Sequence, residues 1–201
     1  MKLPLDGCPV VAAIAGSNGA GKTTFYYSHL QAAGLRFVNA DVLARELAVD
    51  AYTAARVADS IRRELMAQRE SFVFETVFSD PAGDKLAFLR EAGAAGYNVI
   101  LCFIGIAGPE VSDERVAMRV SQGGHDVPME KLTERFPRTL ANLKAALAEL
   151  PHVRVFDNSD LRNAFRLVAV IEKGAIRVLK RPAPKWLKGL LPVSTDIIGE
   201  I

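Results

Sequence analysis

The chain is 201 residues long, half of them hydrophobic and 24% charged, with a formal net charge of +2. That length suits one domain, or one domain with a small appendage, and the apolar content excludes a disordered chain. So small and evenly spread a charge gives neither the basic stripe of a nucleic-acid binder nor a membrane-surface patch.

Cys8 and Cys102 are far apart, and Cys102 lies in an apolar run, which reads as two reduced structural thiols. Lys2 followed by Val10 to Ala15 loosely imitates a signal peptide. Asp6 and Pro9 interrupt it, and cleavage there would remove the glycine loop that follows, so no leader is expected. No apolar stretch approaches the ~20 residues of a membrane-spanning helix. The expected location is the cytoplasm.

Val10 to Ala15 has the continuous apolar character of a strand buried on both faces. A glycine-rich turn follows, then a helix with Phe25, His29 and Ala33 on one face, stopped by Gly34. Arg36 to Asn39 is a short strand. Ala54, Val57, Ala58, Ile61 and Leu65 repeat at helical spacing, and Ser71 to Thr76 is a third strand. Asp80-Pro81 has the form of an N-cap with proline at the first helical position, opening a helix toward Ala94. Asn98 to Ile104 is the fourth strand, and Gly108-Pro109 opens the next helix. Beyond the polar loop from Ser121 to Asp126, Leu132, Phe136, Leu140, Leu143 and Leu147 mark a long amphipathic helix in which Pro137 is expected to force a kink or restart. Val153 to Phe156 is the fifth strand.

This order predicts an α/β fold, a mainly parallel five-stranded sheet with helices on both faces. The glycine loop Gly16 to Thr23 and the arginines between 115 and 138 then specify it as the P-loop kinase type with a helical lid. Residues 1–160 form the core, with the lid at about 109–140. Residues 161–201 add a C-terminal β-hairpin around Lys173-Gly174 and a tail packed on the same domain. Contact of the tail's Trp186 and leucines with a partner or membrane is the alternative to that packing.

Gly16-Ser17-Asn18-Gly19-Ala20-Gly21-Lys22-Thr23 fits G-x-x-x-x-G-K-[ST], between a predicted strand and a predicted helix. Glycines let backbone N–H groups turn inward around phosphates, and the helix N-terminus adds positive potential. Lys22 reaches the β- and γ-phosphates of ATP or GTP, and the Thr23 hydroxyl, followed by Thr24, helps hold Mg²⁺.

The sequence has neither a long apolar strand ending in Asp nor an Asn-Lys-x-Asp guanine motif. Instead Asp41 closes the second strand, where a carboxylate can meet a substrate hydroxyl. Its other reading is an N-cap for a helix beginning at Val42. Glu75-Thr76 ends the third strand similarly, and a carboxylate there favours a polar site. Arg115 and Arg119 share a helix face. Gly123-Gly124-His125 follows, then Arg135 and Arg138, the make-up of a lid that closes over nucleotide. Ordinary surface arginines, with Glu114 and Glu134 as neighbours, are the alternative.

Taken together these residues resemble the zeta-toxin-like P-loop kinases over roughly Val10 to Ser159. The likeness rests on Ala15 to Thr24, Asn39-Ala40-Asp41, Phe74 to Ser79, Arg115 to Pro128 with its Gly-Gly-His-x-Val-Pro segment, and Asp157-Asn158-Ser159. The resemblance implies transfer of a phosphoryl group from ATP or GTP to the amino-sugar 3′-hydroxyl of UDP-N-acetylglucosamine. Asp41 would be the base, Glu75, Thr76 and His125 would face the substrate, and Arg119 and Arg135 would clamp the transferring phosphate. Arg115 and Asn158 would border the nucleotide. An antitoxin protein is the implied partner. A kinase for another metabolite or antibiotic, a nucleotide-dependent switch and a nucleic-acid end kinase are the competing readings.

Overall fold

In β1 (Val10–Ala15) every residue is buried, and alternate side chains enter opposite layers. Val11, Ala13 and Ala15 join one core cluster and Val10, Ala12 and Ile14 the other. The computed structural model describes residues 4–5, 9–121 and 127–192. β4 (Asn98–Gly105) repeats the division, with Val99, Leu101 and Phe103 on one side and Ile100, Cys102 and Ile104 on the other. Both strands read as continuous apolar runs because helices cover both faces of the sheet. Burial pushes the Cys102 thiol up to about 12, which makes it an inert core group.

With β2 (Arg36–Val38), β3 (Phe72–Thr76), β5 (His152–Asp157), β6 (Arg166–Glu172) and β7 (Ala175–Leu179), the sheet has seven strands in the order β2-β3-β1-β4-β5-β6-β7. The first five are parallel and the last two antiparallel. The C-terminal hairpin thus extends the five-stranded sheet rather than sitting beside it. A crevice forms where the order reverses around β1, at the carboxyl ends of the strands.

Helix α1 (Lys22–Phe25) passes into a π-helical turn, Tyr26–Leu30, and a 3₁₀ turn, Gln31–Ala33. This corrects the single regular helix expected here. Phe25, Tyr26 and Leu30 are buried, whereas His29 and Ala33 are exposed, because the wider turn shifts the apolar face. Helices α2 (Ala40–Leu47) and α3 (Ala51–Ala67) follow β2, the second capped by Asp50. Helix α4 (Asp84–Ala94) begins three residues later than Asp80-Pro81 suggested. Gly83 is its N-cap at φ 72°, and Asp80 instead accepts from the Lys85 amide at 3.2 Å.

After α5 (Pro109–Ser121), α6 (Met129–Glu149) runs through Pro137 without a restart. The helix tolerates the missing backbone donor because its next turns are anchored from outside. Thr139 Oγ1 donates to the Val77 carbonyl at 3.1 Å, and Asn142 Nδ2 to that of Phe78 at 2.9 Å. Among the described residues no helix is long and apolar enough to cross a membrane.

The tail brings Trp186 back onto the sheet, where it is 8% exposed and its Nε1 donates to Asp157 Oδ1 at 3.0 Å. Its ring lies so close to Gly105 that an added Cβ would stand 2.1 Å away. Gly105→Ala is therefore expected to cost about 1–3 kcal/mol in a denaturant melt, since the rigid indole has to move. An unchanged midpoint would remove Trp186 from this contact.

Candidate active site

Strand register assembles the site. Ile14 and Ala15 pair with Glu75 and Thr76, so the ends of β1 and β3 lie together just before Gly16. Val38 pairs with Phe74, which sets Asn39 beside Glu75. The glycine loop then turns over the strand ends. Gly16 has φ 149°, and a Cβ there would stand 2.2 Å from the Ile104 carbonyl oxygen. Gly21 takes φ 90° as the residue preceding α1. No L side chain fits the first without displacing backbone. Ala20 N donates to the Ser17 carbonyl at 3.2 Å, and Ser112 Oγ on α5 holds the Asn18 carbonyl at 2.5 Å.

Lys22 is 7% exposed, its Nζ donating to the Ser17 carbonyl at 3.0 Å and lying 3.8 Å from Glu75 Oε1. Glu75 is tied to the loop through its other oxygen as well. Oε2 accepts from Thr23 Oγ1 at 2.7 Å and from Asn39 Nδ2 at 2.8 Å. Cation, hydroxyl and carboxylate thus meet at the floor of the crevice. Among the described residues no cluster of three His, Cys, Asp or Glu side chains could by itself hold a metal. The Thr23 hydroxyl and the Glu75 carboxylate do fit Mg²⁺, a hard ion that takes a few protein oxygens and completes its shell from phosphate and water.

A cleft of about 400 Å³ opens from this floor and brings Lys22, Asp41, Glu75, Thr76 and Arg135 together. Asp41 is exposed on the first turn of α2, and Asn39 rather than Asp41 caps that helix. Asn39 Oδ1 accepts from the amides of Asp41 at 2.8 Å and Val42 at 3.2 Å. The capping alternative for Asp41 is thereby overturned, and its carboxylate is left to the cleft. Thr24 is exposed beside the loop, outside this cleft.

On the other flank Arg115 donates to the Gly19 carbonyl at 3.5 Å and to that of Ser159 at 3.2 Å, so α5 is stitched to both the glycine loop and the end of β5. Burial draws its guanidinium below its usual value, and Glu114 and Asp157 act against that. Asn158 Nδ2 donates to the Ala20 carbonyl at 2.8 Å, and its Oδ1 accepts from Phe165 N at 3.3 Å. Arg138 pairs with Glu134 at 3.1 Å. His125 and the side chain of Arg119 lie outside the described residues.

Three site residues escaped the sequence reading as contributors. Asn39 was legible in principle, because Asn before a helix is a capping signal. Arg62, which lines the cleft from α3, interrupts the apolar spacing Ala54, Ala58, Leu65, an anomaly visible without coordinates. Ser112, a small hydroxyl on a helix, carries no signal in the sequence.

Fold and glycine loop together define a P-loop protein of the kinase type. Its fold is similar to that of AvrRxo1-ORF1:AvrRxo1-ORF2 crystallised with ATP, with a TM-score of 0.68 at 22% identity over 86% of this chain. The chain covers 61% of that protein's length. It is also similar to a structure from the PezAT chromosomal toxin–antitoxin system of Streptococcus pneumoniae, with a TM-score of 0.59, 18% identity, and 81% and 72% of the two chains covered. No curated protein matches in sequence. Residues 39–166 match the zeta toxin family. The chain belongs to that family. The matched span holds Asp41, Glu75, Arg115, Arg135 and Asn158 but begins after the glycine loop, so loop and family are separate observations.

Proposed function

We propose that this protein transfers the γ-phosphoryl group of ATP or GTP to a hydroxyl of a small molecule, and that the amino-sugar 3′-hydroxyl of UDP-N-acetylglucosamine is the acceptor. The observation that carries the reading is the single cleft joining Lys22 of the phosphate loop to the Asp41 carboxylate. Backbone N–H groups of Gly19 to Thr23 would cradle the phosphates, and Lys22 would neutralise charge between the β and γ groups. Mg²⁺, held by Thr23 with Glu75 beside it, supplies further neutralisation of phosphate charge when bound.

The acceptor oxygen attacks the γ-phosphorus, the bond to the β–γ bridging oxygen breaks, and the nucleoside diphosphate leaves with that electron pair. Asp41 takes the proton of the attacking hydroxyl. Arg135 and Arg119 act on charge developing at the transferring group, while Thr76 and His125 are assigned to binding of the acceptor. Arg115 and Asn158 brace the loop and the end of β5 where the base would lie. The kinship with a toxin–antitoxin protein adds an antitoxin as the partner to seek. A nucleotide-dependent switch is the rival reading, and it gives no role to the Asp41 carboxylate in the cleft that Lys22 also lines.

The test is a transfer screen with Mg²⁺ and either nucleotide against a panel of sugar nucleotides. A 3′-phosphorylated amino sugar is expected. Slow hydrolysis with no acceptor modified would favour the switch.

A further inference from the structure

The tail, residues 181–192, packs against the carboxyl ends of β4 and β5, the end of the sheet that carries the phosphate loop. Trp186 and Leu187 join the core cluster that holds Phe103, and the Trp186 ring lies 6.0 Å from that of Phe103. A phenyl ring would serve such packing without a buried N–H to satisfy. The indole instead donates to a carboxylate, Asp157 Oδ1, at 3.0 Å.

Asp157 ends β5, and its side chain is 13% exposed. A carboxylate so enclosed is costly unless several donors meet it. Oδ1 also accepts from Ser159 N at 3.3 Å and from Ser159 Oγ at 2.6 Å. Oδ2 accepts from Arg166 at 3.3 Å, and Arg166 donates as well to the Pro182 carbonyl at 3.3 Å. One side chain thus joins the tail, β6 and the turn after β5.

Two chains of contact lead from there to the glycine loop. In the first, the Ser159 carbonyl accepts from Arg115, which also reaches the Gly19 carbonyl. In the second, the indole lies against Gly105, whose carbonyl accepts from Asn158 N at 2.8 Å, and Asn158 Nδ2 holds the Ala20 carbonyl. A peptide is planar, so holding the Ala20 carbonyl fixes the direction of the Gly21 N–H.

We propose that Trp186 is a positioning residue for nucleotide: through Asp157 and Gly105 its indole holds the turn after β5, and with it the glycine loop. The tail is then a working part of the nucleotide site. This rests on nucleotide binding at the glycine loop and is independent of the acceptor. Coupling between two places is reciprocal, so bound nucleotide in turn holds the tail on the sheet.

Trp186→Phe keeps an aromatic ring and removes the N–H donor. Fluorescent ATP and GTP analogues, each with Mg²⁺, are titrated into the full chain, and thermal melts are run beside them. The variant is expected to bind nucleotide about fivefold or more weakly. Leu187→Val, at a buried neighbour whose side chain has no polar atom, loosens the packing alone. It is expected to melt earlier with nucleotide affinity unchanged. Backbone amides of the tail are expected to exchange hydrogen more slowly when nucleotide binds the wild type, and the slowing should shrink in Trp186→Phe.

Equal affinity in folded Trp186→Phe, or equal losses in both variants, would reduce Trp186 to packing and overturn the proposal. Tail exchange indifferent to nucleotide would do the same. Should Trp186→Phe fail to melt cooperatively, Arg166→Gln takes its place under the same outcomes, since it cuts the other tie between tail and Asp157 at a partly exposed site. A wild type that binds neither analogue would fell the nucleotide reading and the tail's role together. Nucleotide binding that ignores the tail would fell the tail's role alone.

Discussion

Lys22→Ala is expected to lower phosphoryl transfer by at least about a hundredfold, the loss seen when one preorganised charge is taken from a transition state. Lys22 is the loop's ammonium group, held at its position by the Ser17 carbonyl. Its cost to the fold should be smaller. Glu75 keeps its hydrogen bonds from Thr23 and Asn39 when the lysine is gone, so the carboxylate is not stranded. Activity and thermal melting measured on one preparation separate the two effects. A folded Lys22→Ala protein that still transfers phosphate would remove the glycine loop from the chemistry. A protein that no longer melts cooperatively would show the lysine to be a structural ion.

The parallel core was legible because its signals are local. A continuous apolar strand, a glycine loop and a helix start can each be read from a few residues, and β1 to β5 lie where the apolar runs placed them. Boundaries set by competing turns were less so. Asp80-Pro81 satisfies the composition of a helix start, but Gly83 reaches a left-handed conformation and moves the start to Asp84. The π turn after Phe25 has no compositional mark at all.

The site was legible one residue at a time and illegible as a network. That Glu75 would bond Thr23 follows from the pairing of Ile14 with Glu75, a register that no spacing in the sequence encodes. The same holds for the stitching of α5 to Asn18 and Gly19, across intervals of 94 and 96 residues. Long-range register and packing decide such contacts, whereas motifs record only the donors and acceptors available.

Asp41→Asn separates the kinase from the switch. As a base, Asp41 accepts the proton of the acceptor hydroxyl, which an amide of nearly the same size cannot do. General-base catalysis contributes roughly 10²–10⁴ in rate, so the variant should transfer phosphate at least about a hundredfold more slowly. The fold makes this a clean substitution. Asn39 caps α2, and Asp41 contributes its backbone amide to that cap, which Asn supplies equally well. The melting temperature should therefore hold. Loss of the negative charge from the first helical turn costs at most about 1 kcal/mol at an exposed site. Nucleotide affinity should hold as well, because the proposed phosphate contacts come from the glycine loop and Lys22, whereas the Asp41 amide serves the α2 cap. If Asp41 instead helps position Mg²⁺, nucleotide binding weakens along with turnover, and a magnesium titration shows the midpoint moving to higher concentration. If it only decorates the surface of α2, nothing changes, and the cleft loses its base while the phosphate loop stands. A hundredfold loss in turnover with unchanged nucleotide binding and an unchanged magnesium midpoint is the pattern that assigns proton transfer to Asp41.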